Sequence, residues 1–320
     1  MVILVTGGAG FIGSHLADAL LERGDQVAIL DNFSSGKRAN IEDALAAGAD
    51  LHEGDILDAE FVSRAVTAVR PEAIVHLAAQ SQVRRSIDQP ALDATVNVVG
   101  TINLVESGRK AGLGRFVFAS TGGAIYGEGG RINLPAAESA ALKPLCPYGQ
   151  SKLAGEQYLD LYRRMYAFSS IEMRFANVYG PRQDPNGEAG VVATFGELLL
   201  AGGQPVVFGD GSQTRDFVYV ADVIQAILAA LVSDVQGPVN IGTGRETGLL
   251  TLLEGITNAG QDLDRANGTE ATSFDPVFEP PRPGEVKRIA IDSSRALSEL
   301  GWSASTSIED GLHRTLASLQ

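Results

Sequence analysis

Val5-Thr6-Gly7-Gly8-Ala9-Gly10-Phe11-Ile12-Gly13-Ser14 lies between an apolar, β-branched run at 2–5 and a segment over 11–23 in which apolar residues recur at helical spacing. Strand, glycine turn and helix in this order form the unit that receives a dinucleotide pyrophosphate at a helix N-terminus. The spacing predicts a task for each of three glycines. Gly7 permits the tight turn, Gly10 lets backbone approach the pyrophosphate, and Gly13 lets the helix pack closely. Such a turn is weak evidence alone in a chain with 37 glycines among 320 residues. Asp31 strengthens it, because it ends a second apolar run (27–30) about 20 residues further on, where a carboxylate accepts hydrogen bonds from a ribose diol. A carboxylate there repels a 2′-phosphate, so NAD is expected rather than NADP.

Apolar runs and helical patterns keep alternating downstream. Residues 51–53 with Asp55-Ile56, a helix over about 58–69, a strand at 73–77, a long helix over about 91–111 and a strand at 115–119 follow one another. A helix from near Tyr148 to about Tyr166 and a sixth strand at 171–175 complete the series. This order predicts an α/β fold, a Rossmann-type doubly wound parallel sheet of six or more strands with helices on both faces. Past Asn177 the pattern is less regular and richer in proline and glycine, as in Gly180-Pro181-Arg182 and Pro280-Pro281-Arg282-Pro283-Gly284. A smaller C-terminal mixed α/β substrate domain is expected there. The expected boundaries are 1–175 for the dinucleotide-binding domain, with a return segment at about 214–242, and 176–320 for the substrate domain.

With 44% hydrophobic residues the chain can bury a full core, and it has no apolar stretch of the roughly 20 residues that span a bilayer. No basic leader precedes the first strand, so the cytosol is the expected compartment and no membrane partner is expected. A formal charge of −14 argues against nucleic acid and anionic membranes. Cys146, the single cysteine, excludes an internal disulfide and reads as a packing residue beside two prolines. His15, His52, His76 and His313 are scattered without metal-ligand spacing, and no metal is expected.

The chemical centre is Tyr148-Gly149-Gln150-Ser151-Lys152. On a helix starting near Pro147, Tyr148 and Lys152 share a face. The positive field of Lys152 and of a bound nicotinamide is expected to favour the Tyr148 phenolate, which could then take a proton from an alcohol. Upstream, the strand at 116–119 runs into Ser120-Thr121-Gly122-Gly123-Ala124-Ile125-Tyr126-Gly127, placing hydroxyls at a strand's C-terminal edge, where ligands bind in such sheets.

These motifs together resemble the extended short-chain dehydrogenases/reductases, and within them the UDP-glucose 4-epimerase (UDP-galactose 4-epimerase) group. The resemblance covers nearly the whole chain. It rests on 6–13, Asp31-Asn32, Gly54-Asp55-Ile56, His76-Leu77-Ala78-Ala79-Gln80, 120–127, 148–152, Arg174-Phe175-Ala176-Asn177, Arg215-Asp216-Phe217-Val218-Tyr219-Val220 and Arg282-Pro283-Gly284-Glu285, in family order.

The resemblance implies roles for individual residues. Gly7, Gly10, Phe11, Ile12 and Gly13 would line the pyrophosphate turn of NAD; Asp31 and Asn32 would hold the adenosine ribose, Asp55 and Ile56 the adenine. The backbone of Ala78, Ala79 and Gln80 would pass under the cofactor, and Lys152 would also bond the nicotinamide ribose. Asn177 would meet a UDP-sugar, whose diphosphate Arg215 and Arg282 would clamp as guanidinium groups do. Asp216 and Asp222 flank an apolar strand and are expected to serve structure. Relatives are usually homodimers built on two long helices per subunit, and the segments at about 91–111 and 148–166 suit that arrangement.

One departure stands out. The hydroxyl partner of the tyrosine is expected four residues before Tyr126, and that position is Gly122. The role is therefore assigned to Thr121, with Ser120 the next nearest hydroxyl. The same turn separates reactions. Dehydratases and decarboxylating relatives carry carboxylates after the hydroxyl residue, and this chain has Gly122, Gly123 and Ala124. The implied reaction is NAD-dependent C4 epimerisation of a UDP-hexose through a transient 4-keto sugar, with UDP-glucose/UDP-galactose as the expected pair. UDP-glucuronate, for whose carboxylate Arg84, Arg85 or Arg182 could supply a cation, and UDP-N-acetylglucosamine, with Ile289 as the size gate, are the alternative substrates. A net oxidoreductase or dehydratase, and a noncatalytic NAD-binding sensor, are the readings of other classes.

Overall fold

The computed structural model describes residues 1–129, 132–185, 190–267, 274–280 and 286–320. In chain order the strands are Val2–Thr6 (β1), Gln26–Asp31 (β2), Asp50–Glu53 (β3), Ala73–His76 (β4), Arg115–Thr121 (β5), Ser170–Phe175 (β6), Asn177–Tyr179 (β7), Val206–Phe208 (β8), Thr214–Arg215 (β9), Phe217–Tyr219 (β10), Gly237–Ile241 (β11), Thr247–Gly248 (β12) and Val277–Glu279 (β13). Seven of them form one sheet in the order β11-β6-β5-β4-β1-β2-β3, with every neighbouring pair parallel. The chain leaves β1 in opposite directions on its two sides, through β2 and through β4, which places the crevice of a doubly wound sheet at the ends of these strands.

Sidedness follows from the period of two along buried strands. Ile3, Val5, Val27, Ile29, Val75 and Val117 face a core shared with Leu16 and Leu20 of the helix Phe11–Glu22. Leu4, Leu30, Ile74, Phe116 and Phe118 face the opposite core, with Val62 and Val66 of the helix Ala59–Val69 and Leu104 of the helix Gly100–Ala111. The seventh strand, β11, comes from the segment expected to return to the sheet. The remaining strands pair in twos, β7 with β10, β9 with β12 and β8 with β13, beside the helices Val191–Leu200, Leu249–Asn267 and Ile308–Ala317. Among the described residues no helix is long and apolar enough to cross a membrane.

Asp216 and Asp222 hold loops, as the sequence suggested. Asp216 accepts bonds from Thr243, Gly244 and Ile291, and Asp222 from Ser305 and Thr306. The long helix expected at 91–111 differs from expectation. It is helical over Pro90–Ala94 and Gly100–Ala111, with a π-helical turn at Thr95–Val99 between them. A π-turn widens the hydrogen-bonded ring by one residue and re-aims its side chains, and here it points Asn97 into the interior.

His76 ends β4 fully buried. Thr101 Oγ1 gives its proton to Asn97 O (2.7 Å), so His76 Nε2 donates to Thr101 Oγ1 (3.0 Å) and Nδ1 accepts from Thr6 Oγ1 (2.7 Å). Burial, and then the charge of Lys152, push the imidazole down to about 3 from its ordinary 6.5, so it is neutral in the folded protein. Between these values the unfolded chain binds the extra proton, and stability falls as pH drops from 6.5 towards 3, by about 1.4 kcal/mol per pH unit. We expect His76→Asn to flatten this acid limb in urea titrations at pH 6.5, 5.5 and 4.5; an unchanged slope would assign acid lability elsewhere.

Candidate active site

A cavity of about 1200 Å³ opens at the C-terminal ends of β1, β4, β5 and β6. Its volume exceeds the ~300–1,000 Å³ of a single small-molecule site, leaving room for two ligands side by side. Its walls include Gly7, Gly10, Phe11, Ile12, Gly13, Asp31, Asn32, Asp55, Ile56, Ala78, Ala79 and Gln80, which are all of the expected cofactor contacts outside the catalytic helix.

The glycine turn is shaped by contacts that no side chain would survive. Gly7 has φ +70°, and a Cβ there would lie 2.6 Å from Ala78 N. A Cβ on Gly13 would lie 2.1 Å from Gly7 O, so the first turn of the helix Phe11–Glu22 rests directly on the glycine turn while Leu16 and Leu20 pack on the strand side chains. A Cβ on Gly10 would meet only Gly7 O, at 3.2 Å, which leaves its other side open for a ligand. Asp31 is buried, and its two oxygens accept from Ala9 N (2.9 Å) and Phe33 N (2.8 Å), leaving lone pairs for a diol. Asn32 Nδ2 donates to Asp55 Oδ2 at 2.9 Å, joining the residues expected around adenosine.

The helix Pro147–Tyr166 carries the chemical centre. Pro147 opens its first turn, where a missing N–H costs nothing. Two glycines bring it close to its neighbours: a Cβ on Gly149 would lie 2.7 Å from Ala124 O, and one on Gly155 would lie 2.8 Å from Phe118 Cζ. Tyr148 thereby meets the end of β5, where Tyr148 and Thr121 line the same cavity wall and the Thr121 hydroxyl stands near the phenol. Lys152, one turn on, is 3% exposed and donates to Ala119 O at 2.8 Å, its ammonium 4.9 Å above the Phe118 ring.

The electrostatics show what the protein contributes to the expected phenolate without a nicotinamide. The Tyr148 phenol is held well above its ordinary value, by burial first, with Thr121 opposing and Cys146 and Asp93 adding to it. Lys152 is pushed down to about 8 by burial, against the pull of Asp93 and Glu156. Lys152 therefore does not by itself produce a phenolate. One of its three N–H donors goes to Ala119 O, and the protein alone holds the phenol neutral.

The two candidate hydroxyls also part company. Thr121 faces Tyr148. Ser120 Oγ donates to Glu156 Oε1 at 2.5 Å and belongs to a buried network in which Arg174 grips Glu156 through two bonds (2.9 and 2.6 Å). Ser120 lines the same cavity, but its hydroxyl is engaged by Glu156 and braces the strand end. A side chain at Gly122 would strike Ile291, with a Cβ 2.6 Å from its Cδ1, which explains why the hydroxyl stands one residue earlier.

Of the expected substrate contacts, Asn177 and Arg215 line the cavity. Asn177 Oδ1 is buried and accepts no hydrogen bond. Arg215 Nη1 donates to the carbonyls of Thr214 (2.8 Å) and Lys287 (3.3 Å). Arg282 lies outside the described residues. Ile289, the expected size gate, is buried in the core. Arg182 pairs with Asp18 at 2.7 Å away from the cavity, whereas Arg84 and Arg85 line it.

Sequence reasoning missed Asp93, Asn97, Glu156 and Gln183. Glu156 was legible, since it stands one turn beyond Lys152 on the same helical face. Asp93 and Asn97 were not, because their orientation depends on the π-turn. Asn97 exchanges two 2.9 Å bonds with the Gln80 backbone and donates to Ser151 Oγ at 3.0 Å.

The depressed Lys152 makes a stability prediction. Between about 8 and 10.5 the unfolded chain binds the extra proton, so stability rises with pH through this window, and below it the buried ammonium is a cost. Lys152→Met should stabilise the protein at pH 7 by roughly 3 kcal/mol, less about 1 kcal/mol for the lost bond to Ala119 O. Urea unfolding should show the gain shrinking by pH 10.5; a gain independent of pH would mean that the charge is not the cost.

The profile of the family described as GDP-mannose 4,6 dehydratase matches residues 4–315. The UDP-glucose 4-epimerase of Mycolicibacterium smegmatis is 43% identical over 323 residues, spanning 99% of this chain and 97% of that protein. Among solved structures, the UDP-glucose 4-epimerase of Thermotoga maritima with UDP-glucose aligns with a TM-score of 0.91 at 43% identity, over 99% of this chain and 98% of that one. The Thermus thermophilus UDP-glucose 4-epimerase in complex with NAD aligns with a TM-score of 0.89 at 40% identity, over 100% and 99%. Sequence, fold and cavity together place the chain in the extended short-chain dehydrogenase/reductase family, alongside the UDP-glucose 4-epimerases.

Proposed function

We propose that the protein is an NAD-dependent 4-epimerase of UDP-hexoses that interconverts UDP-glucose and UDP-galactose. The observation that carries this reading is the convergence of Tyr148, Thr121 and Lys152 on one cavity wall, at a turn whose next residues are Gly122, Gly123 and Ala124. An alcohol can be deprotonated and reprotonated there, but nothing in that turn can act as the further acid or base that elimination of water requires.

The residues present suit NAD: glycines at the close approaches, and at Asp31 a buried carboxylate that would accept from a ribose diol and repel a 2′-phosphate. Asp31 and Asn32 would hold the adenosine ribose, Asp55 and Ile56 the adenine, and Lys152 the nicotinamide ribose. NAD, when bound, supplies a reversible acceptor for the C4 hydrogen. Tyr148 takes the O4 proton and later returns it, and Thr121 fixes the direction of the phenol. Asn177, Arg215 and Arg282 would hold the nucleotide diphosphate while the 4-keto sugar turns, so that the opposite face is reduced. Nothing is oxidised overall, and the cofactor stays bound. On this reading residues 1–175 with 214–242 bind the cofactor and 176–320 the nucleotide sugar.

Arg84 and Arg85 on the cavity wall support a second reading, in which the substrate is UDP-glucuronate. Incubation with UDP-glucose, UDP-glucuronate and UDP-N-acetylglucosamine in turn decides between them. We expect a C4 epimer from UDP-glucose with no accumulation of NADH absorbance; stoichiometric NADH or a dehydrated product would overturn the proposal. Tyr148→Phe should lower kcat by about 10³-fold or more with NAD affinity little changed.

We also infer a homodimer in the cytosol. Val99, Tyr158, Met165 and Tyr166 are exposed apolar residues on the two helical segments suited to pairing. Light scattering should give twice the chain mass, and Tyr158→Glu should shift it to the monomer.

A further inference from the structure

Asp93 is a carboxylate that the proposed reaction does not contact. It is 1% exposed in the helical segment Pro90–Ala94, just before the π-turn. Oδ1 accepts from Gln80 Nε2 at 3.0 Å and from Asn97 Nδ2 at 3.1 Å. Since Asn97 also reaches Ser151, next to Lys152, Oδ1 alone ties the loop after β4 to the catalytic helix. Oδ2 is different. It is buried and accepts no hydrogen bond, a costly condition for a carboxylate oxygen. An asparagine would keep both Oδ1 contacts without the charge, so structure does not account for the carboxylate.

The surroundings do. Asp93 interacts electrostatically with Lys152, Tyr148 and Cys146. Lys152 is faced by Asp93 from this segment, by Glu156 from its own helix, by neutral His76 from β4, and by the Phe118 ring and Ala119 O from β5. Glu156 is already neutralised by the two bonds from Arg174. Among the described residues, Asp93 is the negative charge left to offset the ammonium.

We propose that Asp93 is the counter-charge of the Tyr148–Lys152 pair, a positioning residue that also braces the loop after β4 against the catalytic helix. The inference rests on the reading of Tyr148 as the acid–base group. A buried negative charge favours the ammonium and disfavours the phenolate, so it moves both titrations to higher pH.

The test is Asp93→Asn in the NAD-loaded enzyme. Both limbs of the kcat profile should move to lower pH by about one unit, lowering kcat on the alkaline side about tenfold while KM stays within about twofold. A profile with unmoved limbs would overturn the proposal and leave Asp93 a structural brace. A second measurement needs no turnover. In urea unfolding, Asp93→Asn should be less favourable at pH 6, where Lys152 is charged, than at pH 9.5, and this difference should vanish in the Lys152→Met background. A difference that persists there would also overturn it. If no UDP-sugar is epimerised, the parent reading fails, and the unfolding cycle still decides the role of Asp93.

Discussion

A nearly inaccessible ammonium, Lys152, is the constraint around which the site is built. Burying it is costly unless charge and hydrogen bonds compensate. The compensation comes from the Ala119 carbonyl and the Phe118 ring on β5 and from Asp93 before the π-turn, while Glu156, one turn further along the same helix, is held by Arg174. The two β5 groups can reach Lys152 only because the helix lies almost against the sheet. Gly149 and Gly155 make that approach possible, and a methyl group at either position would collide with a neighbour.

The close contact between helix and strand end also defines which hydroxyls do chemistry. Tyr148 and Thr121 meet because the first turn of the helix rests on the Gly122–Ile125 turn. Ser120, one residue away, points to the other side of β5, into a network of Glu156, Arg174, Tyr126 and Asn240. The strand's period of two separates a reactive face from a bracing face. The bracing face is satisfied internally, whereas Asn177 Oδ1 and Gln183 Oε1 beside the reactive face accept nothing from the protein.

This arrangement suits a reaction that is redox-neutral overall. A phenol that burial keeps neutral does not ionise until a ligand changes the local charge, so proton removal is coupled to assembly of the site. The absence of carboxylates from the 122–124 turn leaves a ketone, once formed, with no route to elimination. Returning it to the alcohol from either face is the chemistry these residues can support.

The sequence by itself determined the fold class and the cofactor half of the cavity. Those depend on local rules: a glycine turn between a strand and a helix, apolar runs alternating with helical periods, and a carboxylate closing the second strand. It also offered Tyr148 and Lys152 through helical spacing and the Ser120 and Thr121 hydroxyls through a strand terminus, with the family resemblance favouring Thr121. Only the tertiary structure decided that Ser120 turns away, that Ile289 is core, that Arg182 is spent on Asp18, and that Asp93 and Asn97 face the catalytic helix. Each of these depends on which partner lies across a crossover or a π-turn, and electrostatic compensation of a buried charge is a property of assembled neighbours rather than of any segment.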